Sequence, residues 1–296
     1  MSELDPKIGL VTVLYNGKEV LPDFFASLAK QTYKNYVLYV IDNSPNDEAL
    51  DLAKTLAAEY KIPSEFINNN ENLGVAKGNN QGIFLALEQR CENVVLINND
   101  VVFGSGLIED LLVASRSNCA DMVVPKIYYY DLPDVLWYAG GEFLASRGWN
   151  TKHWGEDKVD DGALISCFVD YAPTCCMFIG KNVFDLIGVM DEKYFVYSDD
   201  ADFCYRAKMR GLKLFFDSSI SMHHKVSVST GGNLSDFSSY YMSRNLVYFN
   251  KKYFLFWFVY SLLFFQYKFF YKLVLGKIPF KVFLNMQKGF FSGIFL

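Results

Sequence analysis

Strand-like and helix-like runs alternate over the first 120 residues, and that alternation limits the chain to a small group of folds. "IGLVTVL" (Ile8–Leu14) is a continuous apolar run of strand length. "EVLPDFFASLAKQ" then sets Val20, Leu21, Phe24, Phe25 and Leu28 at helical spacing. "YVLYVID" (Tyr36–Asp42) reads as a second strand, "DEALDLAKTLAAEY" as a helix and "SEFIN" (Ser64–Asn68) as a short strand. "VAKGNNQGIFLALEQR" has a helical pattern, although Gly78 and Gly82 count against it. "NVVLIN" (Asn93–Asn98) is the fourth strand and "GLIEDLLVASR" the helix after it. Repeated units of this kind predict an α/β fold, a mainly parallel central sheet flanked by helices.

In such sheets ligands bind beyond the carboxyl ends of the strands. Polar residues follow each predicted strand: Tyr15 and Asn16, Asp42 and Asn43, Asn70 to Asn72, and Asn98 to Asp100. Four successive strand ends therefore aim polar groups at one rim. The turn after the first strand, "YNGKE", has one glycine and matches no glycine-rich phosphate loop. A nucleotide held here has to be held by side chains and a metal ion.

From about residue 125 to residue 191 the pattern is irregular and rich in aromatics and glycines, as expected of short strands and loops in an acceptor-binding half. Three acids, Asp199, Asp200 and Asp202, then crowd the predicted start of a helix that Gly211 ends. Asp199 as N-cap and Asp202 paired with Arg206 would explain two of them. Three acids within four residues exceed the needs of a cap, and at least one is expected to be functional. "LKLFF" reads as a strand, and "SISMHHKVSVSTGG" as a strand leading into a Ser/Gly loop. A histidine at a strand end is usually a satisfied hydrogen-bonder. With Asp100 and a diphosphate, one of these would complete an open site for Mg²⁺ or Mn²⁺.

Several segments, taken in order, resemble bacterial family 2 glycosyltransferases of the GT-A fold, the rhamnosyltransferase-like members in particular. They are "VTVLYNGKEVLPDFFASLAKQTY", "VIDNSPND", "NENLGVAKGNNQGI", "LINNDVVF", "VDYAPTCCMFIG", "GVMDEKYFVYSDDADFCYRAKMRG", "HHKVSVSTGG" and "YYMSRNLVYF". The resemblance implies that Tyr15 lies against a nucleobase and that Asp42 accepts a hydrogen bond from it. It implies that Asn72, Gly74 and Asn79 lie in the segment approaching the ribose. Asp100 falls on the metal-binding aspartate of the family's D-x-D motif, and His224 on its second metal ligand. Asp199 and Asp200 fall on the acidic pair that supplies the catalytic base, with Asp200 the choice. Ser229 to Gly232 would cover the diphosphate, and Arg244 would reach the donor phosphates. The chain departs from the motif at Asn98 and Asn99: Asn98 can accept from a ribose hydroxyl but adds no negative charge.

Composition separates the two ends of the chain. Net charge is −5, yet residues 251–296 hold seven of the 28 basic residues and no acid, leaving 21 basic against all 33 acidic residues elsewhere. An acidic body with a basic, aromatic tail is not the pattern of a nucleic-acid binder. "YFLFWFVYSLLFF" falls short of the roughly 20 apolar residues a membrane span requires. Lys268/Lys272 and Lys277/Lys281 recur at i,i+4, so an amphipathic segment on anionic headgroups is expected, ahead of a span, a buried tail or an oligomer interface. The start "MSELDPKIGL" has no apolar run, and no secretory signal is expected. The six cysteines form no CxxC pair and are expected to be reduced and mostly buried.

The expectation is thus a GT-A glycosyltransferase domain over residues 1–250, with residues 1–120 binding nucleotide and residues 121–250 binding acceptor, and a membrane-associating tail over 251–296. The activity expected is inverting, metal-dependent transfer from a nucleotide-diphosphate sugar (dTDP- or UDP-linked, rhamnose the first choice) to a lipid-linked or surface-polysaccharide acceptor. The place expected is the inner face of the cytoplasmic membrane. A nucleotidyltransferase and a non-catalytic sugar-nucleotide-binding protein are the alternatives.

Overall fold

The computed structural model describes residues 5–226 and 235–296. The expected Ser229–Gly232 loop lies outside the described residues. The first half runs β1 (Ile8–Leu14), α1 (Leu21–Ala29), β2 (Tyr36–Asp42), α2 (Glu48–Glu59), β3 (Ser64–Asn68), α3 (Val75–Glu88), β4 (Asn93–Ile97), β5 (Val101–Phe103) and α4 (Leu107–Asn118). The second half runs β6 (Met122–Tyr129), β7 (Leu136–Tyr138), β8 (Gly141–Leu144), β9 (Asn150–His153), β10 (Cys167–Val169), β11 (Cys176–Gly180), α5 (Lys181–Ile187), α6 (Asp199–Met209) and β12 (Leu214–His224). Helices α7 (Asp236–Tyr253), α8 (Phe258–Val274) and α9 (Phe280–Phe295) close the chain.

The large sheet has the order β10-β12-β6-β11-β4-β1-β2-β3, with β5 added on β12 and β7 on β6. The β1–β2, β2–β3, β1–β4 and β6–β12 pairs are parallel. Strand β11 runs antiparallel between β4 and β6, a reversal that the apolar run "CCMFIG" did not announce. The two strands expected in "LKLFF" and "SISMHH" are one strand, β12, with a register shift between Asp217 and Ser221. Leu14, Asp42 and Asn68 stand abreast across β1, β2 and β3, which aligns three strand ends at one rim.

Gly78 and Gly82 weaken α3 as an isolated helix but let it lie directly on β1. A Cβ at Gly82 would come 2.3 Å from Val11 Cγ1, and one at Gly78 2.9 Å from Val13. Gly9 does the same from the strand side, 2.6 Å from Ala86 Cβ. Loss of helix propensity is here offset by closer packing of helix on sheet.

The boundary drawn at residue 250 falls inside α7. Helix α9 lies along α7 through two glycines: a Cβ at Gly289 would come 2.1 Å from Tyr240 O, and one at Gly293 2.3 Å from Arg244 O. Phe265 of α8 packs over Gly148, whose φ of +67° suits glycine. Val247, Phe265, Phe269, Val282, Phe283 and Phe290 form a second core among the three helices. Among the described residues no helix is long and apolar enough to cross a membrane.

Helix α8 and the turn before it are amphipathic in an unexpected sense. Phe256, Tyr260, Leu263, Tyr267, Phe270 and Val274 form one exposed stripe. Ser261 and Phe265 are buried, and the half-buried Lys268 and Lys272 continue their line on the protein side. The expected placement of these two lysines on headgroups is therefore corrected: the apolar stripe faces outward, and Lys268 and Lys272 face inward. All six cysteines are free, and Cys119 is exposed.

Candidate active site

Asp42 ends β2 with no exposed surface. Its Oδ1 accepts from the Ser44 N–H (2.9 Å) and Ser44 Oγ–H (2.5 Å), and Ser44 Oγ in turn accepts from the Asn16 N–H (2.7 Å). Its buried Oδ2 has no hydrogen-bond partner among the described residues. A buried acceptor of this kind requires a donor, and the adjacent Tyr15 is 40% exposed, leaving a ring face available. Asn72 Oδ1 accepts from the Gly74 N–H (3.0 Å), and Gly74 O accepts from the Asn43 side chain (3.0 Å). Gly74 has φ +85° and a Cβ there would sit 2.4 Å from Phe195 O, so only glycine fits. Asn79 is buried, and its amide contacts Met190 Sδ at 3.7 Å. Asn98 and Asn99 are half-buried between β4 and β5.

Asp100 and His224 come together across the β5–β12 pair. His224 Nε2 lies 3.2 Å from Asp100 Oδ1, both residues being buried. The contact lacks hydrogen-bond geometry: Asp100 Oδ1 and His224 Nδ1 have no hydrogen-bond partner among the described residues. Adjacent ligands on an octahedral ion with bonds of about 2.1 Å are about 3 Å apart, so the pair fits two corners of an Mg²⁺ or Mn²⁺ shell. No group of three His, Cys, Asp or Glu side chains able to hold a metal occurs among the described residues. The remaining corners would need oxygens from elsewhere. His223, one residue earlier, points to the other face of β12 and stacks on Tyr128 at 5.4 Å.

An aromatic wall runs from this pair to the acidic helix. Trp137 is edge-on to His224 (4.7 Å) and to His153 (5.0 Å), and His153 stacks on Tyr171 (5.7 Å). Tyr171 O–H donates to Asp200 Oδ2 (2.9 Å), while Asp200 Oδ1 accepts from the Ala201 N–H (2.7 Å). Burial pushes the His153 imidazole down, favouring its neutral form.

The three acids of α6 have three environments. Asp199 is buried with Oδ2 unpartnered, and burial, then the charge of Asp200, pushes its carboxyl well up. Asp200 is raised by burial too, but the Tyr171 hydroxyl and the Ala201 N–H favour its ionised form. The two carboxyls thus differ in environment: Asp199 has a bare buried oxygen, whereas Asp200 accepts from two donors. Asp202, with no exposed surface, accepts from Arg206 (2.8 Å), Lys252 (2.7 Å) and Tyr253 (2.7 Å). The expected Asp202–Arg206 pair is present, but the N-cap position belongs to Ser198, and Asp199 is the first residue of the helix.

Tyr197 and Ser198 both have positive φ, 65° and 61°. Non-glycine residues in that region are strained and persist only when held. Asn245, fully buried on α7, holds this turn by donating to Val196 O and Tyr197 O, each at 2.7 Å. The neighbouring Arg244 donates to Lys193 O (2.7 Å) and lies over the Tyr241 ring (4.7 Å). Sequence reasoning chose Arg244 and missed Asn245, Tyr171, His153 and Trp137. The asparagine beside the arginine was the local signal, and the aromatics come from two separate short strands, β7 and β9, and the loop after β10.

The sequence profile of glycosyl transferase family 2 matches residues 10–172, more than half of the 296 residues. The chain belongs to glycosyl transferase family 2. It is similar to the low-salt glycan biosynthesis hexosyltransferase Agl10 of Haloferax volcanii, 24% identical over 70% of this chain and 63% of that protein. It is also similar to the dTDP-rhamnosyl transferase RfbF of Shigella flexneri, 24% identical over 75% of this chain and 70% of that one. A third relative is the N-acetylglucosaminyl-diphospho-decaprenol L-rhamnosyltransferase of Mycobacterium tuberculosis, 26% identical over 75% and 77%. Among solved structures, GalNAc-T7 with UDP, GalNAc and Mn²⁺ superposes with a TM-score of 0.59 at 16% identity, covering 74% of this chain and 43% of that one. The Pyrobaculum calidifontis mannosyltransferase PcManGT with GDP-Man and Mn²⁺ gives 0.57 at 12%, covering 83% and 63%. The fold of this family 2 member is GT-A-like, as the sequence predicts.

Because the Tyr171 hydroxyl favours the ionised form of Asp200, Tyr171→Phe is expected to raise the Asp200 pKa. A base must be deprotonated to act, so the acid limb of kcat/KM against pH should move to higher pH in this variant. An unmoved limb with lowered activity would remove Asp200 as the titrating group.

Proposed function

We propose that the chain is an inverting glycosyltransferase moving a sugar from a nucleoside-diphosphate donor to an acceptor hydroxyl, with Asp200 as base. The observation that carries this reading is the wall of side chains from Asp100 and His224 to Asp200. Such a wall would set a cation site and the Asp200 carboxylate along one continuous surface, at the two ends of a displacement reaction. Asp42 and Tyr15 would take the nucleobase, and Asn72, Gly74 and Asn98 would lie along the ribose. Asp100 and His224 would hold Mg²⁺ or Mn²⁺ with two diphosphate oxygens; when bound, the ion supplies charge stabilisation to the leaving group. Asp200 takes the acceptor hydroxyl proton as the oxygen forms its bond to the anomeric carbon. The anomeric carbon's bond to the diphosphate oxygen breaks, and its electron pair leaves on the nucleoside diphosphate. With one displacement the anomeric configuration inverts.

Rhamnose from a dTDP-linked donor is the favoured sugar, and a lipid-linked or surface-polysaccharide precursor the favoured acceptor. The names of the Shigella and mycobacterial relatives support both. A donor panel assayed for metal-dependent release of dTDP or UDP tests the reading. Asp200→Asn is expected to retain nucleotide binding and to lose roughly 10²–10⁴-fold in transfer. Transfer near wild type in that variant would exclude Asp200 as base, and binding without turnover of any donor would favour the non-catalytic alternative.

The chain is further proposed to sit on the cytoplasmic membrane surface through the exposed stripe of α8. Phe256 is fully exposed and Trp257 is 61% exposed beside it, a costly arrangement in water unless covered. Serine at Phe256, Trp257 and Tyr260 should shift the protein from the pellet to the supernatant in vesicle co-sedimentation. Unchanged pelleting would place the membrane contact elsewhere.

A further inference from the structure

Asp200 forms part of one wall of a cavity of about 310 Å³ that α8 closes from the other side with Lys268, Phe269 and Lys272. Asn150 and Thr151 of β9 complete the floor. A second cavity of about 310 Å³ also lies against α8 and is mainly apolar, lined by Trp149, Trp257 and Tyr260. Helix α8 therefore borders both spaces, cationic toward its C-terminal end and aromatic at its start.

Lys268 and Lys272 have no carboxylate within ion-pair distance among the described residues. The other tail lysines whose amines have a partner sit elsewhere: Lys252 on Asp191 and Asp202, Lys281 on Asp236, and Lys251 on Ile294 O. Burial, then Lys272, then Arg147 depress the Lys268 ammonium, and Asp200, the carboxylate that lines the same cavity, pairs with neither lysine. Turning cations inward on a helix whose apolar stripe faces outward is unfavourable unless an anion fills the space between them.

We propose that this cavity is the acceptor subsite for a lipid-linked sugar diphosphate, with Lys268 and Lys272 holding the phosphates and the lipid leaving over the aromatic start of α8. The inference rests on the glycosyltransferase reading and names its acceptor class. The acceptor sugar then lies between the lysines and Asp200, with its hydroxyl toward the carboxylate. The exposed stripe serves the same end, since it meets the membrane in which the lipid chain is dissolved. Two lysines on adjacent turns suit a diphosphate, whose several charged oxygens accept from both ammonium groups. Membrane headgroups carry the same phosphate chemistry, so the test separates the two sources.

Binding of farnesyl diphosphate and of farnesol to the full chain is measured by tryptophan fluorescence, in EDTA so that the cation site is silent. The diphosphate is expected to bind at least about tenfold more tightly than the alcohol. The preference should vanish in the Lys268→Gln/Lys272→Gln variant and persist in Lys268→Arg/Lys272→Arg, with thermal melting confirming that both fold. No preference in the wild type, or a preference that survives the glutamine pair, overturns the proposal. Co-sedimentation with phosphatidylcholine vesicles, with and without phosphatidylglycerol, forms the second arm. If the glutamine pair loses only its preference for anionic vesicles, the lysines serve headgroups and the proposal fails. Failure of the glycosyltransferase reading shows separately, as absent dTDP or UDP release, and leaves these binding results readable.

Discussion

One buried carboxylate ties α6 of this protein to its last three helices. Asp202 has no exposed surface, and Arg206 of its own helix, Lys252 and Tyr253 converge on it. Removing one partner of such a buried pair costs about 3–5 kcal/mol, because the remaining charge is stranded. The clamp fixes α6 against α7, and α7 carries Asn245, which holds the strained Tyr197–Ser198 turn. That turn sets the start of α6 and so the position of Asp200. Helices α8 and α9 pack on α7, so the clamp also anchors the helices that line the cavity in front of Asp200. The basic, aromatic end of the chain is in this sense a wall of the site.

The opposite end of the site depends on the sheet. Parallel strands in register bring Leu14, Asp42 and Asn68 abreast, and polar residues beyond them share one rim. The antiparallel β5–β12 pair adds Asp100 and His224 to that rim. With Asn98 and Asn99 in place of acids, a cation held here would have one carboxylate and one imidazole from the protein. A two-ligand set holds a hard divalent ion weakly by itself, and a diphosphate supplies the missing charge and oxygens. Donor and metal are expected to bind as a unit, each raising the affinity of the other.

Much of this was legible before the structure. Strands β1, β2 and β3 have the bounds that the sequence predicts; in β1 and β2 burial on both faces writes a continuous apolar run into the sequence, while β3 is short and only half-buried. The strand-end residues were legible for the same reason, because a parallel sheet forces its loops to one edge. The reversal of β11 was not, as an antiparallel strand buried on both faces reads like a parallel one. The wall of Trp137, His153 and Tyr171 was hidden because two short strands, β7 and β9, and the loop after β10 supply one residue each. The i,i+4 lysines were visible, but their direction was not. Periodicity reports that a helix has two faces and leaves open which one meets protein. Asn245 was passed over for Arg244 because an arginine suits a phosphate, while the strained turn that needs an asparagine exists only in three dimensions.

The central claim is that Asp100 and His224 form half of a cation site that the donor completes. Titration of Mn²⁺ into the full chain, with free Mn²⁺ read by electron paramagnetic resonance, measures this directly. Affinity should be weak alone and rise at least about tenfold when dTDP or UDP is added, and Asp100→Ala or His224→Ala should remove the rise. Equal Mn²⁺ affinity with and without nucleotide, or a rise that survives both substitutions, would contradict the account.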